Sequence, residues 1–238
     1  MDTTSLPSPT RASAHHDGLR RTEVVILLAA PVLLLFGRAL LVPFDDQRWG
    51  DMLTTMADHP TRNAIGWALA LIAVALLAVG GLGLVRLVAD QPLLAVPATV
   101  GVALGWAGAA AVASGGLVMG DMAKNPQRAS MIDVLEGFNE GNGNTVFFVV
   151  LAGVVGNVLL ALALARTGLA SRGAAALLAI GAVGSLIAAP GPARPVAIVA
   201  ALLLLAGHAL VLRSLPERQS ARREVTTSDV PAASTAST

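Results

Sequence analysis

The sequence predicts an all-α, polytopic membrane bundle of six transmembrane helices with two short extracytoplasmic amphipathic helices. Three observations predict it. The chain of 238 residues is 55% hydrophobic and 13% charged, where a soluble domain is nearer a quarter charged. Too few polar side chains remain to clothe a water-facing surface, so lipid must cover most of it. Six apolar stretches approach the roughly 20 residues that a helix needs to cross a hydrocarbon core of about 30 Å. The basic residues fall unevenly on alternate connections, as they do in threaded membrane proteins.

Residues 1–21 lack apolar periodicity and read as a disordered cytoplasmic arm. Residues 22–214 form the membrane domain, with spans at about 24–42, 64–88, 98–119, 145–165, 173–189 and 196–212. The first stretch is too long for a signal-peptide core and is read as a retained span. Lipid offers the backbone no hydrogen bonds, so each crossing segment must satisfy its own as a helix. Between the last two spans, Pro190, Pro192, Pro195 and Gly191 interrupt the helix, which predicts a tight turn over one long kinked helix. Residues 215–238, Arg-rich and then Ser/Thr/Ala-rich, read as a disordered cytoplasmic tail.

Two connections carry helical signals of their own. After Asp45 or Asp46 as cap, Trp49, Met52, Leu53 and Met56 fall at i, i+3, i+4 and i+7, one face of an amphipathic helix. In the second, Asn125-Pro126 is a helix start, Met131, Ile132, Leu135 and Phe138 make the apolar face, and Gly141 is the expected stop. Both helices are expected on the outer membrane surface or over the bundle.

Orientation follows from charge. With the N-terminus inside, the inner side holds Arg11, Arg20, Arg21, Arg86, Arg166, Arg172, Arg213, Arg218, Arg222 and Arg223. The outer side holds Arg48, Arg62, Lys124, Arg128 and Arg194. Ten against five places both termini in the cytoplasm of a plasma-membrane protein. The basic residues form no stripe, so nothing points to nucleic acid. The absence of cysteine excludes disulfides, thiol catalysis and Cys-ligated metals. No cofactor or metal motif is present.

The candidate functional residues are few. Arg38 lies one turn from the outer end of the first span, where it either snorkels to headgroups, pairs with Asp45 or Asp46, or serves a function. The outer connections carry Asp45, Asp46, Asp51, Asp58, His59, Asp121, Asp133, Glu136 and Glu140, an acidic face without calcium-loop spacing and without a second histidine for His59. Asn157 and His208 are intramembrane polar groups that either hold helices together or contact a ligand. No acid lies at mid-membrane depth, which argues against a proton relay. A lone span histidine does not suit a two-histidine haem. Ser114, beside Gly115-Gly116, could pair with His208 in an intramembrane hydrolase, but the surrounding motifs are missing. Gly101, Gly105, Gly108, Gly116 and Gly120 predict close helix packing, within the chain or in a homo-oligomer.

The segment Pro31-Val32-Leu33-Leu34-Leu35-Phe36-Gly37-Arg38 through Pro43, then Asp45-Asp46 and His59-Pro60-Thr61-Arg62, resembles a group of uncharacterised six-span integral membrane proteins of high-GC bacteria. The resemblance covers the first hairpin, and the remainder through composition and span count. It implies the six-span fold and brings no catalytic residue. The leading expectation is a non-enzymatic membrane protein whose outer face meets ligands, lipids or a partner. The alternative is a small transporter or channel with Arg38, Asn157 and His208 along a polar path.

Overall fold

A computed structural model describes residues 19–41, 49–188 and 194–228. Within them the chain is helical throughout, without strands: α1 (Arg21–Leu40), α2 (Trp49–Asp58), α3 (Pro60–Leu87), α4 (Pro92–Met122), α5 (Arg128–Arg166), α6 (Arg172–Ile187) and α7 (Arg194–Ser228). Local chemistry sets several of the ends. Proline opens α3 and α4 at the first helical turn, where its missing N–H costs nothing. Ser171 caps α6 by accepting from the Ala174 N–H at 3.2 Å. Gly168 takes φ 71° between α5 and α6, a left-handed turn that glycine enters without steric cost.

Five segments are long and apolar enough to cross a membrane: Arg21–Leu40, Pro60–Leu87, Pro92–Met122, Phe148–Arg166 and Pro195–Leu215. Large apolar side chains such as Phe36, Ile72, Val100, Phe148 and Val199 point outward and stay exposed, as lipid-facing residues do. The sixth apolar helix, α6, has 16 residues, a length of about 24 Å.

These six helices close into a ring. Each packs on its chain neighbour in the order α1, α3, α4, α5, α6, α7, and α7 returns to α1. Small residues bring the tightest pairs together. Gly101 and Gly105 of α4 lie directly on Gly156 and Gly153 of α5, backbone against backbone. Gly37 of α1 lies against Gly66 and Ala70 of α3, and Gly181 of α6 against Ala200 and Leu204 of α7. Lipid supplies no hydrophobic drive between helices, so close van der Waals approach of this kind must hold them.

At one end of the ring, α2 packs over the bundle. Its Leu53 and Met56 are fully buried in a cluster with Leu41, Trp67, Ala113 and Ala123, and it packs on α3, α4 and α5.

Three sequence expectations change. Residues 128–141 do not form a separate helix; α5 runs unbroken through Gly141 to Arg166. Interior glycine weakens a helix by only about 1 kcal/mol, and extending an existing helix is far easier than nucleating one. Asn125 is not the cap of that helix; its side chain accepts from the Gln127 N–H at 2.9 Å, a local turn before the first helical residue. The segment 215–228, expected as a disordered tail, continues α7 to Ser228, although Pro216 lies within it and interior proline is the poorest helix former. The expected arm over 1–18, the loop with Asp45 and Asp46, and most of the proline turn at 190–195 lie outside the described residues.

Candidate functional site

Between five of the ring helices lies a cavity of about 20 Å³, room for one water molecule. Its wall is apolar except at three places: Trp106 of α4, Asn157 of α5 and His208 of α7. Leu77, Gly81 and Leu84 of α3 and Leu178 of α6 supply much of the rest. The space exists partly because Gly81 has no side chain there. A Cβ at that position would stand 2.9 Å from Val102 Cγ1 and 3.9 Å from Trp106 Nε1, so the indole N–H is at the same surface.

Each polar group keeps hydrogen-bonding capacity. Asn157 Nδ2 donates to the Gly153 carbonyl at 2.8 Å, one turn back on its own helix. Its carboxamide oxygen and second N–H remain. His208 is buried, and its Nδ1 has no partner; the Leu204 carbonyl one turn earlier bears on the ring without completing a hydrogen bond at that nitrogen. A buried polar atom left so costs roughly 1–3 kcal/mol, which the surrounding helix contacts must offset.

On four of its five helices the cavity is lined from mid-span, at Trp106, Asn157, Leu178 and Leu204. On α3 it is lined further along, Leu84 being two residues from Arg86, which is exposed at the end of that helix. There Arg86 Nη1 donates to Glu23 Oε1 at 3.1 Å, and Glu23 Oε2 accepts from the Arg20 N–H at 3.0 Å. This ties α1 to the end of α3. At the opposite end, Arg62 Nε donates to the Leu40 carbonyl at 2.7 Å, satisfying a C-terminal carbonyl of α1 that its own helix leaves open. Leu77 and Trp67 are ten residues apart on α3, about 15 Å, and the Trp67 cluster fills the route from the cavity to α2.

The structure thus unites two of the three residues expected on a polar path. Asn157 and His208 line the same cavity; Arg38, half-buried in the last turn of α1, is not among its lining residues. His59 is exposed at the start of α3, and Asp51, Asp58, Asp121, Asp133 and Glu136 are exposed too. Among the described residues no group of acids and histidines is placed to hold a metal ion. Ser114 is exposed and donates to its own Ala110 carbonyl at 2.9 Å, away from His208. Trp106 was missed by the sequence reading. The available signal was a tryptophan in mid-span, far from the interfaces where its polar N–H is easily satisfied. Trp67 stands nearer a helix end, under α2, and its Nε1 is also buried and unpartnered.

These features define a multi-pass α-helical membrane protein with a small polar cavity inside its ring of helices. Compared with protein families, with curated proteins and with solved structures, the chain matches none.

Proposed function

We propose that this is a six-span plasma-membrane protein, with both termini in the cytoplasm, that passes a small solute through its ring of helices. Asn157 and His208 are the intramembrane contact point, and the conformation described is closed at the outer end. One observation carries the reading: polar side chains from separate helices converge on one cavity with hydrogen-bonding capacity unspent. Groups that served only as helix glue would bond each other. The exposed, self-bonded Ser114 gives a hydrolase no nucleophile at that histidine.

The sixth crossing is α6. It fills the place between α5 and α7 in the ring and turns Ile180 and Ile187 outward; a helix a few ångströms short is accommodated by local thinning of the bilayer. Arg86, Arg166, Arg172 and Arg213 then share the cytoplasmic end.

Flux tests the function. Proteoliposomes holding the protein are expected to swell faster than protein-free vesicles in small uncharged solutes, and Asn157→Leu and His208→Leu to remove most of that excess while remaining monodisperse. Swelling of wild-type vesicles at the protein-free rate would sink the proposal. Topology is open to single-cysteine labelling, since the chain has no cysteine. An impermeant maleimide should reach Asp58→Cys in intact cells and Thr238→Cys only after permeabilisation.

A further inference from the structure

We infer that the cavity selects an uncharged ligand of very few heavy atoms that both donates and accepts hydrogen bonds, and rejects ions of the same size. This rests on the reading of the cavity as the solute contact point and adds the chemical class of the solute.

The donor and acceptor inventory sets the class. Asn157 offers a carboxamide oxygen and one N–H beyond its bond to Gly153. Trp106 Nε1 is a donor only and faces the space left by Gly81. His208 lines the same space, and a neutral imidazole offers one donor and one acceptor nitrogen according to tautomer. A ligand that only accepts leaves the Asn157 oxygen unmet, and one that only donates leaves Trp106 unmet.

Charge is excluded by what the wall lacks. Among the described residues no Asp, Glu, Lys or Arg lines the cavity. An ion entering an apolar wall without an opposite charge loses hydration that a few neutral dipoles do not restore. The nearby charges of Glu23 and Arg86 neutralise each other in their own ion pair. Size is bounded by the volume, about 20 Å³, enough for one water. A molecule of two or three heavy atoms enters only with small shifts of Leu77, Leu84 and Leu160 around it.

Trp106 also reports occupancy. In a Trp49→Phe, Trp67→Phe background it is the remaining tryptophan of the three in the chain. Full-length protein in nanodiscs would be titrated with formamide, which is neutral and carries both functions, and with formate and methylammonium, its charged counterparts in size. Formamide is expected to shift Trp106 emission saturably, with half-saturation no tighter than about millimolar for so few atoms. Asn157→Leu should weaken that response at least tenfold, and the two ions should give no saturable change. Saturation by either ion at concentrations similar to formamide, or a formamide response that is linear and unaltered by Asn157→Leu, would overturn the ligand class. Formamide binding in a protein that carries no flux would leave this class standing and remove transport. Flux carried by ions would remove the class and leave transport.

Discussion

The α4–α5 contact and the cavity beside it are built from the same helices by opposite rules. In the contact, Gly101 and Gly105 meet Gly156 and Gly153 with nothing between the backbones. In the cavity, less than a turn from Gly105 on α4 and one residue from Gly156 on α5, Trp106 and Asn157 carry polar side chains to a space that no side chain fills. Where both helices offer glycine, approach is limited only by backbone. Where large side chains meet around the single gap at Gly81, the packing stops short and polar atoms stay unpaired. The contact is the rigid seam, and the cavity is the place with free energy left to gain from a ligand.

Breaking the seam should have the largest effect. Gly105→Val would place its Cβ on the Gly153 backbone, which cannot move aside as a side chain does. Overpacking of this kind typically costs 1–3 kcal/mol and more when backbones must separate. The expected result is loss of monodisperse protein from detergent extracts, with Gly115→Val, whose site is open, as the tolerated control. Equal recovery of both variants would mean that α4 and α5 are not this close.

The cavity should respond in the other direction. His208→Leu removes a buried, unpartnered nitrogen, relieving a penalty of roughly 1–3 kcal/mol, and its apolar side chain suits the surrounding leucines. The variant should unfold at higher SDS concentration than wild type while losing flux, the exchange of function for stability expected of a binding site. Destabilisation by His208→Leu would make His208 structural glue and erase the contrast with the seam. Gly81→Ala narrows the same space, with its new Cβ 2.9 Å from Cγ1 of Val102, a fully buried, β-branched side chain. It should cost about 1–3 kcal/mol and reduce solute flux severalfold.

These two regions were not equally legible in the sequence. Span positions, the amphipathic face of α2 and the glycine pairs follow from hydropathy, helical period and residue size, all of which are local. The glycines at 101 and 105, one turn apart on one face of α4, announce a seam because they let a neighbouring backbone come close. That Asn157 and His208, 51 positions apart in the chain, line the same cavity depends on how α5 and α7 are rotated in the ring, which no single-helix pattern contains. The same rotation leaves Arg38 off the cavity wall. The continuity of α5 through Gly141 was misjudged for another reason. Glycine marks a helix end only when the chain takes a left-handed turn there, and among the described residues Gly168 alone has positive φ.

A smaller effect is expected at the ion pair between Glu23 and Arg86. Glu23→Gln keeps a side chain that accepts from the Arg20 N–H but removes the charge facing Arg86. Arg86 is largely exposed, so the loss is on the order of 0.5 kcal/mol and should shrink as salt is raised. An effect insensitive to salt would indicate that Glu23 acts through packing against Gly83, which its carboxyl group closely approaches.

The smallest effect is expected at Ser114, and it is the most discriminating between chemistries. The hydroxyl is exposed and bonds the Ala110 carbonyl one turn back, an interaction that contributes little to helix stability. Ser114→Ala should therefore change unfolding by no more than about 0.5 kcal/mol and leave solute flux at the wild-type rate. A hydrolase using Ser114 as nucleophile with His208 as base would lose its reaction entirely in the same variant, and would label at Ser114 with a fluorophosphonate. Absence of labelling together with unchanged flux separates the two readings at one position, because transport through the cavity needs His208 and has no use for Ser114.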